Sequence, residues 1–176
     1  MMLEKVDQIL VPTDFSESSE LALRAAIQLG RKFGAAVEVL HVDTEATVMV
    51  PPPGDLIAVP IDIAELMEKS VERLNEIAEH VRRTGLVCTT ATEVGTTHTE
   101  IVDHAQRIGA DLIVMGTHGR HGLGHALVGS IAERVVQHAL CPVLVIPLRA
   151  VERAEVPQPE SDPERDQPLP AAYLPA

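Results

Sequence analysis

Aromatic side chains are scarce in this 176-residue sequence, which contains two Phe, one Tyr and no Trp. Binding of single-stranded nucleic acid relies on aromatic stacking platforms, so the composition argues against that class of function. The hydrophobic fraction of 45% comes mainly from Val, Ile, Leu and Ala, which is typical of helices packed on a parallel sheet. The same fraction excludes a chain that is disordered throughout.

Positive charge is also in short supply, because 14 Lys and Arg residues stand against 26 Asp and Glu, for a net charge of -12. A field of that sign repels phosphate backbones and anionic membranes, so we expect neither a nucleic acid nor a membrane as partner. Any bound nucleotide must therefore be held by local donors or by a metal ion.

There are only two cysteines, Cys88 and Cys141, with no CxxC pair and no metal-ligand spacing. Both lie in apolar stretches, which predicts buried thiols in a reducing compartment, with a redox role as the alternative for Cys141. No apolar run approaches ~18 residues, and residues 1–7 lack the apolar core of a signal peptide. We therefore expect a cytoplasmic protein.

Hydrophobic periodicity and helix-cap residues predict alternating strands and helices. Ser16 is placed to cap the first helix, and Thr97 with Glu100 and Ser130 with Glu133 have the spacing of capping boxes. The predicted strands cover residues 8–12, 36–42, 86–94, 111–115 and 143–146. The predicted helices run from Ser16 to Phe33 and over about 62–84, 97–108 and 130–140.

This order of elements predicts an α/β fold, a doubly wound five-stranded parallel sheet with helices on both faces. The domain is expected to cover residues 1–149. Residues 44–60 are irregular, and their length predicts a functional or mobile loop. Residues 150–176 contain six prolines, six acidic residues and two arginines without periodicity, so we expect a disordered acidic tail.

A glycine-rich loop follows the fourth predicted strand, with Gly116 and Gly119 at its start and Gly129-Ser130 at its end. Glycines let the backbone approach a ligand closely, and free N–H groups at the start of the next helix form an anion site. The pattern predicts phosphate binding, with a purely structural glycine-rich turn as the alternative. Ser130 has two competing roles, as a phosphate contact and as the cap of its own helix.

The spacing of these four residues resembles the ATP-binding signature of universal stress proteins. The likeness extends to residues 9–16 (Ile-Leu-Val-Pro-Thr-Asp-Phe-Ser), 111–120 and 141–145, and it covers roughly residues 5–148. The resemblance implies the sheet order 3-2-1-4-5 of an adenine nucleotide alpha-hydrolase-like fold. It also implies a homodimer formed through the edge strand Val143–Ile146, whose apolar, uncharged sequence is typical of a strand that pairs with another chain.

In the ATP-binding members of that family, the ends of the first two strands hold the adenine. The glycine loop lies by the ribose and phosphates, which a divalent cation, Mg2+ or Mn2+, commonly bridges. The resemblance assigns these roles to Pro12, Thr13, Asp14, Val42, Met115, Gly116, Gly119, Gly129, Ser130 and Ile131. Asp14 has the alternative role of capping the first helix.

Within the loop, Arg120 is the only fixed cation, and we expect it and His118 near the phosphates. Family members often carry Lys or Arg where this chain has Gly124 and His125, so we expect ATP affinity to depend on magnesium. The cluster of His118, His121 and His125 has a zinc site as an alternative, although its spacing matches no standard site.

No Ser-His-Asp order, HExxH sequence or nucleophile elbow is visible, so we do not expect a metabolic enzyme. The function expected from the resemblance is that of a nucleotide-dependent sensor or regulator in the stress response. The alternatives are a nucleotide-free dimeric scaffold of the same fold, and a slow ATPase in which a bound metal polarises the phosphates.

Overall fold

The computed structural model describes residues 5–44, 63–117 and 129–148. The predicted irregular loop beyond residue 44, the middle of the glycine-rich loop and the predicted acidic tail lie outside the described residues. The domain boundary after residue 149 therefore stays a prediction.

Strands and helices alternate along the described chain, and each predicted element is present. The strands are β1 (Gln8–Thr13), β2 (Ala36–Asp43), β3 (Cys88–Val94), β4 (Leu112–Gly116) and β5 (Val143–Ile146). The helices are α1 (Glu17–Phe33), α2 (Ile63–Arg83), α3 (Thr97–Ile108) and α4 (Ser130–His138).

Two predicted bounds were wrong by two residues. The third strand begins at Cys88 rather than at residue 86, and the last helix ends at His138 rather than at residue 140. The helix stops there because the backbone of Ala139 is already extended, with ψ 141°.

The five strands form one parallel sheet in the order β3-β2-β1-β4-β5, as predicted. Strand β1 pairs with β2 on one side and with β4 on the other, so that Leu10 lies opposite both Glu38 and Ile113. The chain leaves β1 towards β2 and later returns to the far side of β1 as β4. The winding direction therefore reverses at β1, and this is where open α/β sheets bind ligands.

Each face of the sheet carries its own apolar layer, because alternate residues of a strand point to opposite faces. Val11 and Val39 lie in the layer covered by α1 and α2. Leu10 and Leu40 lie in the layer covered by α3 and α4. Helices on both faces are thus confirmed. Among the described residues, no helix is long and apolar enough to cross a membrane.

Local signals set the two ends of α1. The Ser16 side chain accepts a hydrogen bond from the Ser19 N–H at 3.3 Å, which confirms Ser16 as the N-cap. Gly34 ends the helix in the left-handed region with φ 72°, where a side chain would be strained.

The two predicted capping boxes were wrong. The N-cap of α3 is Thr96, the N-cap of α4 is Gly129, and neither makes a side-chain cap bond. Thr97 and Ser130 are instead the first helical residues, because tertiary contacts start each helix one residue earlier. The Gly95 N–H donates to the Asp43 carbonyl at 3.0 Å, and the Gly129 N–H donates to the Thr117 carbonyl at 2.7 Å.

A charged network joins α3 to the sheet. His104 Nε2 lies 2.6 Å from Glu38 Oε1, and His104 Nδ1 lies 3.0 Å from Glu93 Oε1. Arg107 pairs with the same Glu93 oxygen at 2.9 Å, and the Thr89 hydroxyl donates to Glu38 at 2.8 Å. Arg107 Nη2 also lies 3.2 Å from His104 Nδ1, so Glu38, Glu93, His104 and Arg107 form one connected group.

Replacing His104 with Ala removes the partner that Glu38 and Glu93 share. We expect the free energy of unfolding to fall by about 2 kcal/mol, because Glu38 and Glu93 are partly buried and each loses one hydrogen-bond partner. Urea denaturation followed by circular dichroism measures this change. The control Arg24→Ala removes only an exposed pair with Glu20 and is expected to cost less than about 0.5 kcal/mol. Equal effects of the two substitutions would contradict this account of the network.

Candidate functional site

The ends of three neighbouring strands meet at one edge of the sheet. Strands β2, β1 and β4 are parallel and adjacent, so their carboxyl ends at Asp43, Thr13 and Gly116 share that edge. Helix α4 starts beside them, because the Gly129 N–H donates a hydrogen bond to the carbonyl of Thr117, which directly follows β4. The predicted site residues found at this edge are Pro12, Thr13, Asp14, Val42, Met115, Gly116, Gly129, Ser130 and Ile131. Three others, His118, Gly119 and Arg120, lie outside the described residues.

The turn between β1 and α1 is held by its own side chains. Asp14 Oδ1 accepts hydrogen bonds from the Ser16 N–H at 3.1 Å and from the Ser16 hydroxyl at 2.6 Å. The Thr13 hydroxyl accepts from the Phe15 N–H at 3.0 Å and lies 3.1 Å from Ser19 Oγ, to which it donates. Asp14 therefore supports the capping residue Ser16 and is not itself the cap of α1.

A buried pair that was not predicted from the sequence lies at the end of β2. His41 Nδ1 is 2.8 Å from the Thr13 carbonyl oxygen, which can only accept, so Nδ1 carries a proton. His41 Nε2 is 3.2 Å from Asp43 Oδ1. Among the described residues, Asp43 Oδ2 is buried without a hydrogen-bond partner. The available signal was the alternation of β2, which puts positions 37, 39, 41 and 43 on one face.

Val42 and Met115 lie on the opposite face of the sheet from that pair. They are 9% and 5% exposed and belong to one apolar cluster that also contains Leu10 and Ala132. This cluster links the ends of β2 and β4 to the first turn of α4. Packing therefore brings together Val42, which is predicted to contact the adenine, and Met115, which is predicted to contact the ribose.

Gly116 has a structural role in addition to the predicted ligand contact, which stays a prediction. A Cβ built on Gly116 would collide with the Ser18 hydroxyl oxygen and would lie 2.8 Å from the carbonyl carbon and oxygen of Ser18. The missing side chain therefore lets the first turn of α1 pack against the end of β4. On this side of Gly116 the close neighbour is helix α1.

The first turn of α4 offers free backbone donors. An α-helix leaves its first four N–H groups without intrahelical partners. In α4 the Gly129 N–H already donates a hydrogen bond to the Thr117 carbonyl. The first helical hydrogen bond runs from the Glu133 N–H to the Gly129 carbonyl at 3.0 Å. The N–H groups of Ser130, Ile131 and Ala132 have no partner in the described part of the chain. The exposed Ser130 hydroxyl is likewise not used as a cap.

The two cysteines lie away from this edge. Cys88 is buried as predicted, whereas Cys141 is only half-buried, which corrects the second prediction. Burial raises the pKa of both thiols by removing water from around the thiolate. A raised pKa lowers the thiolate fraction at neutral pH, so both groups are weak nucleophiles.

The comparison with known proteins agrees with this arrangement of strands. The family model described as the universal stress protein family matches residues 5–147. The chain belongs to the universal stress protein family. Universal stress protein MJ0531 of Methanocaldococcus jannaschii is 38% identical over 141 residues, which cover 79% of this chain and 81% of that protein.

Solved structures share the fold of this universal stress protein. That of the hypothetical protein MJ0577, which is also from Methanocaldococcus jannaschii, has 30% identity and a TM-score of 0.67, with 81% of this chain and 96% of that chain covered. A universal stress protein from Archaeoglobus fulgidus in complex with dAMP has 25% identity and a TM-score of 0.56. The match covers 82% of this chain and 99% of that chain.

The close contact between Gly116 and Ser18 predicts that a single methyl group added at position 116 destabilises the fold. We expect Gly116→Ala to lower the free energy of unfolding by about 2 kcal/mol, because backbone atoms of α1 must move to admit the Cβ. Urea denaturation measures the loss. The comparison variant Gly34→Ala has no atom within 4 Å of its new Cβ but keeps a left-handed φ, so it should cost only about 1 kcal/mol. An unchanged stability of Gly116→Ala would refute the close packing.

Proposed function

We propose that this universal stress protein binds an adenine nucleotide, ATP with Mg2+ or Mn2+, at the edge where β2, β1 and β4 end. In this proposal it acts as a nucleotide-dependent sensor or regulator of the stress response and not as a metabolic enzyme. The observation that carries the proposal is the start of α4. There the N–H groups of Ser130, Ile131 and Ala132 lack partners among the described residues, beside a strand end and at the positive end of a helix dipole.

The phosphates belong at these donors. Gly129 and Ser130 present only a hydrogen atom and a small hydroxyl side chain, so an anion can reach the backbone. The Ser130 hydroxyl is exposed and free of a capping role, which leaves it able to donate to a phosphate oxygen. The proposed phosphate contacts also include His118, Gly119 and Arg120, on the strength of the sequence pattern alone.

The adenosine belongs at the strand ends. Asp14 and the end of β2 at Val42 flank the point where the winding reverses, and Met115 and Gly116 follow on the neighbouring strand β4. A carboxylate and backbone groups can recognise the adenine edge, while the apolar cluster of Val42 and Met115 excludes water. The dAMP complex of the Archaeoglobus fulgidus relative supports an adenine nucleotide as the ligand class.

The proposed cation is held chiefly by the nucleotide. Among the described residues no group of three His, Cys, Asp or Glu side chains could hold a metal ion. A divalent ion on the phosphate oxygens would offset both the phosphate charge and the acidic surroundings of a chain with net charge -12. A bound cation can polarise the phosphates. The only catalytic activity that we propose is therefore slow hydrolysis of ATP.

Nucleotide binding is tested by isothermal titration calorimetry with Mg-ATP and by extraction of nucleotide from the purified protein. We expect binding by the wild-type protein and a loss of affinity of about tenfold or more in Gly129→Val, because the new side chain covers the free N–H groups. The extended backbone of Gly129, φ -73° and ψ 156°, suits valine, so helicity should be retained.

The matched control is Thr96→Val. Thr96 is the N-cap of α3, is also extended and also lacks a side-chain cap bond, so this variant should bind ATP as the wild type does. If millimolar Mg-ATP produces neither heat nor a shift in melting temperature, the nucleotide-free scaffold replaces the proposal. Full binding by Gly129→Val would refute the role of the α4 start.

We also propose that the protein forms a homodimer through β5. This strand is at the edge of the sheet and pairs with β4 alone among the described strands. Leu144 and Leu148 are 38% and 45% exposed there, and Val136 on the adjoining α4 is 52% exposed. An apolar edge without a protecting lysine favours pairing with a second chain.

The dimer is tested by introducing a charge at the edge. We expect Leu144→Lys to halve the mass measured by light scattering after size-exclusion chromatography, because the charge cannot be buried between two edges. Val87→Lys is the matched control, since Val87 is 69% exposed beside β3 at the other edge. A monomeric wild-type protein, or a dimeric Leu144→Lys variant, would refute the proposal.

A further inference from the structure

Phe15 has an unusual backbone conformation between β1 and α1. Its φ is 63°, and it is the only residue other than glycine with a positive φ among those described. This left-handed region is costly for a residue with a bulky side chain, and such a conformation persists only where the surrounding structure enforces it. Strain of this kind is found most often at functional sites.

Contacts from three elements hold Phe15 in place. Its N–H donates to the Thr13 hydroxyl at the end of β1, at 3.0 Å. Its ring lies 4.5 Å from the imidazole of His41 on β2, measured between ring centroids. The guanidinium carbon of Arg73 on α2 lies 4.2 Å from the same ring centroid, within the range of a cation–π contact. Phe15 therefore links α2 to the turn between β1 and α1.

Asp14 depends on this arrangement because it directly precedes Phe15. The left-handed step turns the chain so that Ser16 N–H and Ser16 Oγ both reach back to Asp14 Oδ1. The ring of Phe15 meanwhile lies towards α2. If the ring moved away from His41 and Arg73, the strained backbone could relax, and Asp14 would lose the geometry that fixes its carboxylate.

The surroundings leave the ring room to move. A cavity of about 570 Å³ between α1 and α2 is lined by Phe15, Arg73 and Ile77, with Val11 and Val39 at the sheet. Space beside the ring means that general packing does not hold it on every side. The ring also packs against the apolar layer between the sheet and helices α1 and α2, and the contacts with His41 and Arg73 add to that packing.

We infer that Phe15 is a positioning residue for Asp14, and that its contact with Arg73 couples helix α2 to nucleotide binding. This inference rests on the proposed function, because Asp14 is one of the proposed adenine contacts. Phe15 and Arg73 do not touch the nucleotide in this account. They act on affinity by holding the turn that presents the carboxylate.

The test measures the affinity for Mg-ATP by calorimetry in variants of Phe15 and Arg73. We expect Phe15→Ala to weaken binding about tenfold, the upper range for loss of an aromatic contact, and Phe15→Tyr to restore most of it. Arg73→Met keeps the length of the side chain without its charge and is expected to weaken binding two- to fivefold, as for loss of a cation–π contact. Arg83→Met, an exposed position on the same helix, should change nothing.

A spectroscopic readout separates positioning from loss of stability. The chain contains no tryptophan, so Phe15→Trp introduces a single fluorophore at the turn. We expect its emission to shift on adding Mg-ATP. Without nucleotide, we also expect the emission of the double variant Phe15→Trp, Arg73→Met to differ from that of Phe15→Trp alone. Should Phe15→Ala fail to fold, Arg73→Met and the tryptophan emission still decide the matter.

The outcomes distinguish the two proposals. Absence of ATP binding by the wild-type protein refutes the proposed function and this inference with it. Wild-type binding with unchanged affinity in Phe15→Ala and Arg73→Met refutes the inference alone. A loss in Phe15→Ala that Phe15→Tyr does not restore would also refute it. Weakened binding in Phe15→Ala and Arg73→Met, with recovery in Phe15→Tyr, supports it.

Discussion

The reversal of winding at β1 is the constraint on which the rest of the structure depends. Hydrogen bonds from β1 to β2 on one side and to β4 on the other put three parallel strand ends at one edge. Segments that are far apart in the chain, after Thr13, after Val42 and after Gly116, become neighbours there. Without this pairing none of the proposed contacts would share a cleft, whatever residues they carried.

Small side chains make that edge possible. Ser18 packs against Gly116 with no room for a methyl group, so the first turn of α1 lies close to the end of β4. Gly129 then starts α4 beside the same strand through its bond to Thr117. Glycine is required at position 116 for helix packing. At position 129 its proposed role is to keep the donors of α4 open to a phosphate. A glycine-rich sequence therefore combines a structural role with a proposed binding role.

Negative charge is stabilised in two different ways in different parts of this protein. The chain as a whole is strongly acidic, and a nucleotide adds further negative charge. Partly buried carboxylates in the fold have local partners, since Arg107 pairs with Glu93 and His104 contacts both Glu38 and Glu93. The proposed phosphate site relies instead on fixed backbone dipoles, which add no titratable charge and act over a short range.

Much of the fold followed from the sequence by itself, since hydrophobic periodicity and the Ser16 and Gly34 caps are local signals. The periodicity predicted the strands and helices, and the resemblance to a known family predicted their order in the sheet. Local patterns failed where a tertiary bond decided the outcome. Ser130 and Glu133 have the spacing of a capping box, yet the bond between Gly129 and Thr117 makes Gly129 the cap. The His41–Asp43 pair and the left-handed Phe15 were likewise decided only by tertiary structure, because both depend on contacts between β1, β2 and α2 that no single stretch of sequence contains.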